Sequence, residues 1–123
     1  MESENRIYVL LKFSYKGEGE AECILPGLHC GTCITLDMLL NLVEKHLTLT
    51  NVKTSWIPSN DDDEHLFYVT YKEEFEQGLH HGFKVQVMNT KTGTIKFLTK
   101  TVDEEATKAV RLLVQEWNKE AKQ

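Results

Sequence analysis

The sequence has no long apolar run and few cysteines, and each of these absences excludes a class of protein. Its uninterrupted apolar stretches are only a few residues long and its first residues, MESENR, are polar, so it predicts neither a membrane-spanning helix nor a secretory signal. Three cysteines are an odd number, unlike the paired disulfide framework of a small secreted protein. These features favour the cytoplasm or the nucleus and predict no membrane partner.

Basic residues are also scarce, which argues against nucleic acid as a partner. The 14 Lys and Arg residues face 19 Asp and Glu residues, a net charge of -5, whereas duplex affinity depends largely on neutralising phosphates. The charge is uneven along the chain. Residues 1–89 hold 7 basic and 14 acidic residues, a net charge of -7, while residues 90–123 hold 7 and 5, a net charge of +2. Such an asymmetry suits head-to-tail contact between chains.

The pattern of apolar residues predicts one α+β domain over residues 1–123. No linker-like tract interrupts the chain, and 41% hydrophobic residues suffice for a single core. The segment Arg6–Tyr15 alternates with a period of two, which predicts a strand, and the glycines of KGEGE predict a turn into a second strand from Glu20 to Leu25. The residues predicted on the buried face of the first strand are Ile7, Val9, Leu11, Phe13 and Tyr15.

A helical stripe follows the hairpin. Apolar residues recur at helical spacing, and Thr35 is the predicted N-cap. The stripe consists of Leu36, Leu39, Leu40, Val43 and Leu47. Further strands are predicted at 52–57, 66–71, 83–89 and 94–101, with a short helix or turn at 72–79. Thr101 and Glu104 form a capping-box signature for a last helix, which we expect to pack on the sheet.

The most acidic part of the chain lies between two aromatic-rich runs. From Asp61 to Glu76 there are seven acidic residues and one base, Lys72, and so many like charges repel one another unless a cation offsets them. We expect that cation to be a basic patch on another protein. The alternative is a solvated loop, because exposed charge runs are common.

Three places in the sequence match a known family of interaction modules. They are Lys12 in the strand YVLLKFSYKGE, the helix LDMLLNLVEKHL, and the dipeptide Trp56-Ile57 followed by an acidic turn, a strand and VTYKEEFEQGL. On these residues the span 7–88 resembles the PB1 domain. The resemblance implies a ubiquitin-like β-grasp over residues 7–89, in which a mixed sheet packs on one helix, with residues 90–123 as an extra strand and helix.

The resemblance also implies a use for the acidic residues. PB1 domains pair front to back, so that the acidic motif of one domain meets a lysine on the first strand of another. It implies that Asp61 and Asp63 occupy the first acidic positions, Glu74 the last and Lys12 the basic one, while His65 stands where a third acid is expected. The predicted partner-binding residues are Asp61, Asp62, Asp63, Glu64, Glu73, Glu74 and Lys12. The expected partner is a protein with a basic patch, or a second copy bound head to tail.

The competing chemistry is a C-x-x-C motif, Cys30 and Cys33, just before the first helix. A dithiol at a helix N-terminus is what a thiol oxidoreductase needs, because the helix dipole favours the thiolate. Here the motif follows a hairpin instead of the first strand of a βαβ unit, which argues against redox catalysis. The thiols then serve as small apolar residues.

Zinc is the second alternative for the same segment. Cys23, His29, Cys30 and Cys33 offer candidate ligands, but a second C-x-x-C or H-x-x-x-H is missing. No hydrolase or phosphate-binding motif is present. The sequence therefore predicts a non-enzymatic interaction module without a cofactor.

Overall fold

The computed structural model describes residues 5–17 and 22–121. Its elements in chain order are β1 (Arg6–Lys16), β2 (Glu22–Cys33), α1 (Leu36–Leu49), β3 (Val52–Trp56), β4 (Phe67–Tyr71), a 3-10 helix (Lys72–Gln77), β5 (Leu79–Asn89), β6 (Ile95–Phe97) and α2 (Glu104–Ala121). The predicted KGEGE turn lies largely outside the described residues. β6 is shorter than predicted, and β5 begins four residues before the predicted strand.

The strands form one sheet in the order β2-β1-β5-β4-β3, with β6 paired to β5 beyond the end of β4. This confirms the α+β class. The predicted mixed sheet is wrong, because every strand pairing among the described residues is antiparallel. β5 runs antiparallel to β1 along its whole length, from the Ile7–Met88 pair to the Lys16–Leu79 pair. A ubiquitin-like β-grasp is therefore not confirmed.

Both helices cover the same face of the sheet and contact each other. The predicted α1 is confirmed: the Thr35 hydroxyl accepts a hydrogen bond from the Met38 amide at 3.1 Å, and the stripe faces the core. α2 also packs on the sheet as predicted, but its cap is Asp103, which accepts from the Ala106 amide at 3.1 Å, and not Thr101. No helix of the described residues is long and apolar enough to span a bilayer.

The face of β1 that meets the helices is the opposite of the predicted one. Tyr8 and Leu10 are buried beneath the helices, together with their β5 neighbours Val85 and Val87. The predicted buried set, Ile7, Val9, Leu11, Phe13 and Tyr15, lies half-buried on the other face. Because successive strand residues point to opposite faces, one wrong choice of face moves the whole set. The side of the sheet without helices, here called the outer face, is consequently apolar.

Candidate functional site: an acidic loop clamped by an arginine

The acidic loop, residues 57–66 between β3 and β4, is held in one shape by a single side chain of α2. The buried Arg111 guanidinium donates to four backbone carbonyls of the loop at 3.2–3.4 Å. The acceptors are the carbonyl oxygens of Asp61, Asp63, His65 and Leu66. Buried carbonyls need such partners, and the planar guanidinium can serve several at once. The clamp fixes where the loop carboxylates stand.

Cations of the same chain approach these carboxylates. Lys100 lies 3.4 Å from Asp61, Lys84 lies 3.5 Å from Glu64, and the Thr101 hydroxyl donates to Asp62 at 3.0 Å. The basic excess of residues 90–123 thus meets the acidic excess of the preceding part within one molecule. The cation that offsets the loop charge was expected on another protein, but cations of the same chain already offset part of it. The carboxylates nevertheless remain accessible, with side-chain exposures of 67% for Asp61 and 50% for Glu64.

A cleft of about 340 Å³ opens beside the acidic loop, between it and α2. Its walls include Asp61, Thr107, Arg111 and the exposed side chain of Leu112. The buried Thr107 hydroxyl has no hydrogen-bond partner among the described residues. Lys100 and Lys108 also line the cleft, so its walls combine one carboxylate with basic groups and an apolar surface. No motif of the sequence indicates this cleft.

The predicted acidic surface is divided between the two ends of β4. Glu73 and Glu74 lie on the 3-10 helix after β4, whereas Asp61 and Glu64 lie in the loop before it. β4 has five residues and separates the two groups by roughly 17 Å at about 3.3 Å per residue. One compact partner residue cannot contact both groups.

Lys12, the predicted basic contact, lies on the helix-covered face of the sheet. It is half-buried, and its ammonium lies 5.5 Å from the centre of the Tyr71 ring. It also approaches Cys30 and His81 closely enough to act on the pKa of each. Lys12 is thus part of an internal polar cluster and is poorly placed to meet the acidic loop of another copy.

Glu74 belongs to the same internal cluster. Its carboxylate accepts hydrogen bonds from Nε2 of His81 at 3.2 Å, so the neutral ring accepts through Nδ1 from the Ser14 hydroxyl at 2.8 Å. A hydroxyl, an imidazole and a carboxylate in series can activate a nucleophile. Here Ser14 and His81 are both buried, and the cleft beside α2 does not reach them. The chain of hydrogen bonds is therefore interpreted as structural.

A similar chain lies on the outer face, starting from the next residue of β1. The Tyr15 hydroxyl donates to Nε2 of His65, and Nδ1 of His65 donates to Asp63 at 3.1 Å. Asp63 also accepts from the His65 amide at 2.9 Å. Burial raises the pKa of Tyr15 to about 12, which keeps its hydroxyl protonated. One carboxylate oxygen of Asp63, Oδ1, is thus engaged within the loop.

These two histidines make the stability of the fold depend on pH. Burial lowers the pKa of His65 and of His81, although hydrogen bonds to Asp63 and Glu74 oppose the shift. The unfolded chain takes up protons below about pH 6.5, while the folded chain does so only at lower pH. Folding stability therefore falls as pH drops from about 6.5 towards the folded pKa, with each histidine adding up to about 1.4 kcal/mol per pH unit.

Urea denaturation at pH 7.5, 6.5 and 5.5 measures this effect. We expect the loss of stability between pH 6.5 and 5.5 to shrink in the variant His65→Gln with His81→Gln, which has no imidazole at either position. His29→Gln is the control, because His29 is exposed. A wild-type stability that is constant or rises towards pH 5.5 would contradict the prediction.

Six rings lie together on the outer face and form what we call the ring layer. Its members are Phe13, Tyr15, Trp56, His65, Tyr68 and His80. Trp56 and Tyr68 stack with ring centres 5.1 Å apart, and His65 stacks on Tyr68 at the same distance. Gly82 lies directly beneath, since a Cβ there would meet His65 at 2.6 Å. The ring layer borders the acidic loop through His65.

The two C-x-x-C cysteines do not have the setting of a redox pair. Both lie in β2, which extends to Cys33 and so passes the predicted end of the second strand at Leu25, and α1 begins only at Leu36. Burial raises the pKa of the Cys30 and Cys33 thiols, although Lys12 opposes the shift at Cys30. A catalytic dithiol needs a lowered pKa. The geometry does not favour the redox alternative.

The four candidate zinc ligands are not brought together either. Cys23 stands opposite Tyr15 and Cys33 opposite Tyr8, roughly 23 Å apart along the strand at about 3.3 Å per residue. Ligands of one zinc ion lie within about 2.3 Å of the metal. No group of three or more His, Cys, Asp or Glu side chains in residues 5–17 and 22–121 is arranged to hold a metal ion.

Comparison with protein-family models, with curated proteins and with solved structures finds no match to this chain. Its function has to be inferred from its own residues.

Proposed function

We propose that this protein is a non-enzymatic interaction module, an adaptor that docks the basic patch of a partner protein on its acidic loop. The single observation that supports this most is the Arg111 clamp, which holds exposed carboxylates in one arrangement beside a cleft. A preorganised loop loses little conformational entropy on binding. The partner's lysine or arginine would meet the exposed Asp61 carboxylate at the edge of the cleft and not enter it, because Lys100, Lys108 and Arg111 also line the cleft.

The ion pairs within the chain are compatible with such a partner. Lys100 and Asp61 are both well exposed, and pairs of this kind contribute about 0–1 kcal/mol. A partner's arginine can therefore replace Lys100 at little cost, with the gain of two hydrogen bonds to one carboxylate. Steering by the acidic region would also speed the encounter with a basic surface.

The proposal keeps one part of the PB1-like resemblance, namely that the acidic loop binds basic residues. It does not assign Lys12 as the basic contact, because Lys12 is half-buried on the helix-covered face. We therefore expect the basic residues to come from a different protein and not from head-to-tail assembly. A cytoplasmic or nuclear location belongs to the same proposal, and it agrees with three free cysteines.

A charge-neutral variant of the loop tests the proposal. Asp61→Asn, Asp62→Asn and Glu64→Gln together remove three charges while preserving shape and hydrogen-bond acceptors; Asp63 is left in place because it holds His65. The probe is a fluorescein-labelled peptide of alternating arginine and serine, measured by fluorescence anisotropy. We expect this variant to bind the peptide at least about tenfold more weakly than the wild type. We also expect the affinity of the wild type to fall steeply as salt rises from about 0.05 to 0.3 M.

The matched control removes the same number of charges elsewhere. Glu44→Gln, Glu73→Gln and Glu76→Gln change exposed residues on α1 and the 3-10 helix. We expect this variant to retain most of the affinity. Equal loss in both variants would mean that the peptide responds only to net charge, and a wild type that does not bind it would contradict the proposal directly.

A further inference from the structure

The outer face of the sheet is largely apolar, although both helices of the described residues cover the opposite face. Its polar members include Lys84, Gln86 opposite Val9, and Thr32. In a two-layer domain this side of an antiparallel sheet normally carries polar residues. Here, neighbouring strands present apolar or aromatic side chains in register, as in the pairs Ile7–Met88 and Met88–Ile95. The apolar members outside the ring layer are Ile7, Val9, Leu11, Met88, Ile95 and Phe97. Trp56 and Ile95 are 39% and 58% exposed.

The main cation of this face, Lys84, lies over the aromatic rings next to it. The Lys84 ammonium lies 4.8 Å from the centre of the Phe13 ring and 4.7 Å from that of Phe97, and it pairs with Glu64 at the edge. Such contacts are attractive and favour a lysine that lies flat on the surface. Lys84 therefore keeps its compensating partners when the face is covered.

The size of this face reaches the lower limit of specific protein interfaces. β1 and β5 each have 11 residues, which is about 35 Å of strand, and the sheet is about 20 Å wide at five strands. Allowing for the shorter β3 and β4, the face covers roughly 600 Å², so two such faces would bury about 1,200 Å² in total. Specific interfaces begin at about this area.

We infer that the outer face is a dimer interface, and that a second copy of this chain covers it. Two sheets with the same twist pack face to face at a small angle, which makes this surface complementary to itself across a two-fold axis. The charge that this face carries is the cation Lys84, which does not favour a basic partner here, in contrast to the acidic loop. The dimer is a sandwich of two sheets with the helices outside.

This inference goes beyond the proposed function and uses a neighbouring surface, which meets the acidic loop at the Lys84–Glu64 pair. Asp61 and Asp62 contact Lys100 and Thr101, beside α2, so they stay accessible when the outer face is covered. A dimer thus presents two acidic loops. An adaptor of this form binds a partner with repeated basic patches more tightly than one loop alone.

Sedimentation equilibrium from about 1 to 100 µM tests the inference. We expect the wild type to approach twice the chain mass of 14.2 kDa at the upper end. Val9→Lys, at the centre of the face, should stay a monomer with unchanged circular dichroism. Ile95→Lys is a second variant on the short β6, where a lysine is easily tolerated, and it should weaken the dimer at least about tenfold. The matched control is Leu49→Lys, because Leu49 is an exposed leucine at the end of α1 and away from the outer face. This variant should remain a dimer.

The outcomes separate this inference from the proposed function. A wild type that is monomeric over the whole range overturns the dimer, whatever the labelled peptide does. If both Val9→Lys and Ile95→Lys remain dimers, the dimer interface lies elsewhere and the inference is wrong. Loss of the dimer in these two variants alone supports it. Peptide binding by a monomeric Val9→Lys protein would leave the acidic-loop proposal standing by itself.

Discussion

Leu39→Asp is expected to unfold the protein. Leu39 is fully buried between α1 and the sheet, next to Val43 and Leu47 on the same stripe. Truncation of such a leucine to alanine costs about 2–5 kcal/mol, and a buried carboxylate without a partner adds a further desolvation cost. Domains of this size are stable by about 5–15 kcal/mol, so the aspartate removes most or all of the margin. Far-ultraviolet circular dichroism and thermal melting measure the result.

The neighbouring residue provides the control. Met38 is exposed in the first turn of α1, where an acidic side chain favours the helix dipole. We expect Met38→Asp to melt like the wild type, and Leu39→Ala to fold with a stability reduced by about 2–5 kcal/mol. A cooperative, undiminished melting curve for Leu39→Asp would show that the stripe does not face the core.

The parts of the fold that could be predicted are those with local causes. α1 follows from the spacing of its leucines and from the Thr35 cap, both of which depend on residues within a few positions. β3 and β4 follow from short aromatic and β-branched runs. The cap of α2 was misassigned because Thr101 and Asp103 are both good capping residues, and the Thr101 hydroxyl is taken by Asp62 instead.

The face of β1 could not be chosen from its own sequence. The odd positions from Ile7 to Tyr15 are uniformly apolar, whereas the even positions after Leu10 include Lys12 and Ser14. Periodicity therefore favours the odd face, but the structure buries Tyr8 and Leu10 and accommodates Lys12 and Ser14 in a polar cluster with His81. An alternation pattern identifies two faces and not which one the helices cover.

Local sequence patterns also do not determine whether β5 pairs parallel or antiparallel with β1. Whether a strand pairs parallel or antiparallel with a distant one depends on the path of the chain between them. Here β3, β4 and β5 succeed one another as antiparallel neighbours, and this meander returns β5 antiparallel to β1. The β-grasp expectation assumed another path through the same order of elements.

The candidate site was found in part. The exposed acids of the loop were visible as a charge run, whereas the residues that fix them are distant in sequence. Arg111 lies 45 to 50 positions from its acceptors, and Lys100 lies 39 positions from Asp61. The one available signal is the positive net charge of residues 90–123, which suits contact between chains. In the structure, Lys100 and Arg111 of this segment contact the acidic loop of the same chain.

Arg111→Met should destabilise the fold and release the acidic loop. The substitution leaves four backbone carbonyls without a donor while preserving much of the side-chain volume. Removing one partner of a buried charged network typically costs about 3–5 kcal/mol. We therefore expect a loss of about that size in urea denaturation, together with faster proteolytic cleavage within residues 57–66 of the folded protein.

Two further substitutions show whether stability depends on the several hydrogen-bond donors of the Arg111 guanidinium or only on its charge. Arg111→Lys retains the charge but cannot reach four carbonyls at once, so we expect it to lose most of the same stability. Lys108→Met removes a cation one turn earlier on α2, where it forms an exposed pair with Glu104, and should change stability by less than about 1 kcal/mol. If Arg111→Lys is as stable as the wild type, the arginine acts as a point charge and the loop is held by other contacts. The geometry of four carbonyls around one planar group predicts the opposite, because only a guanidinium presents donors in that many directions.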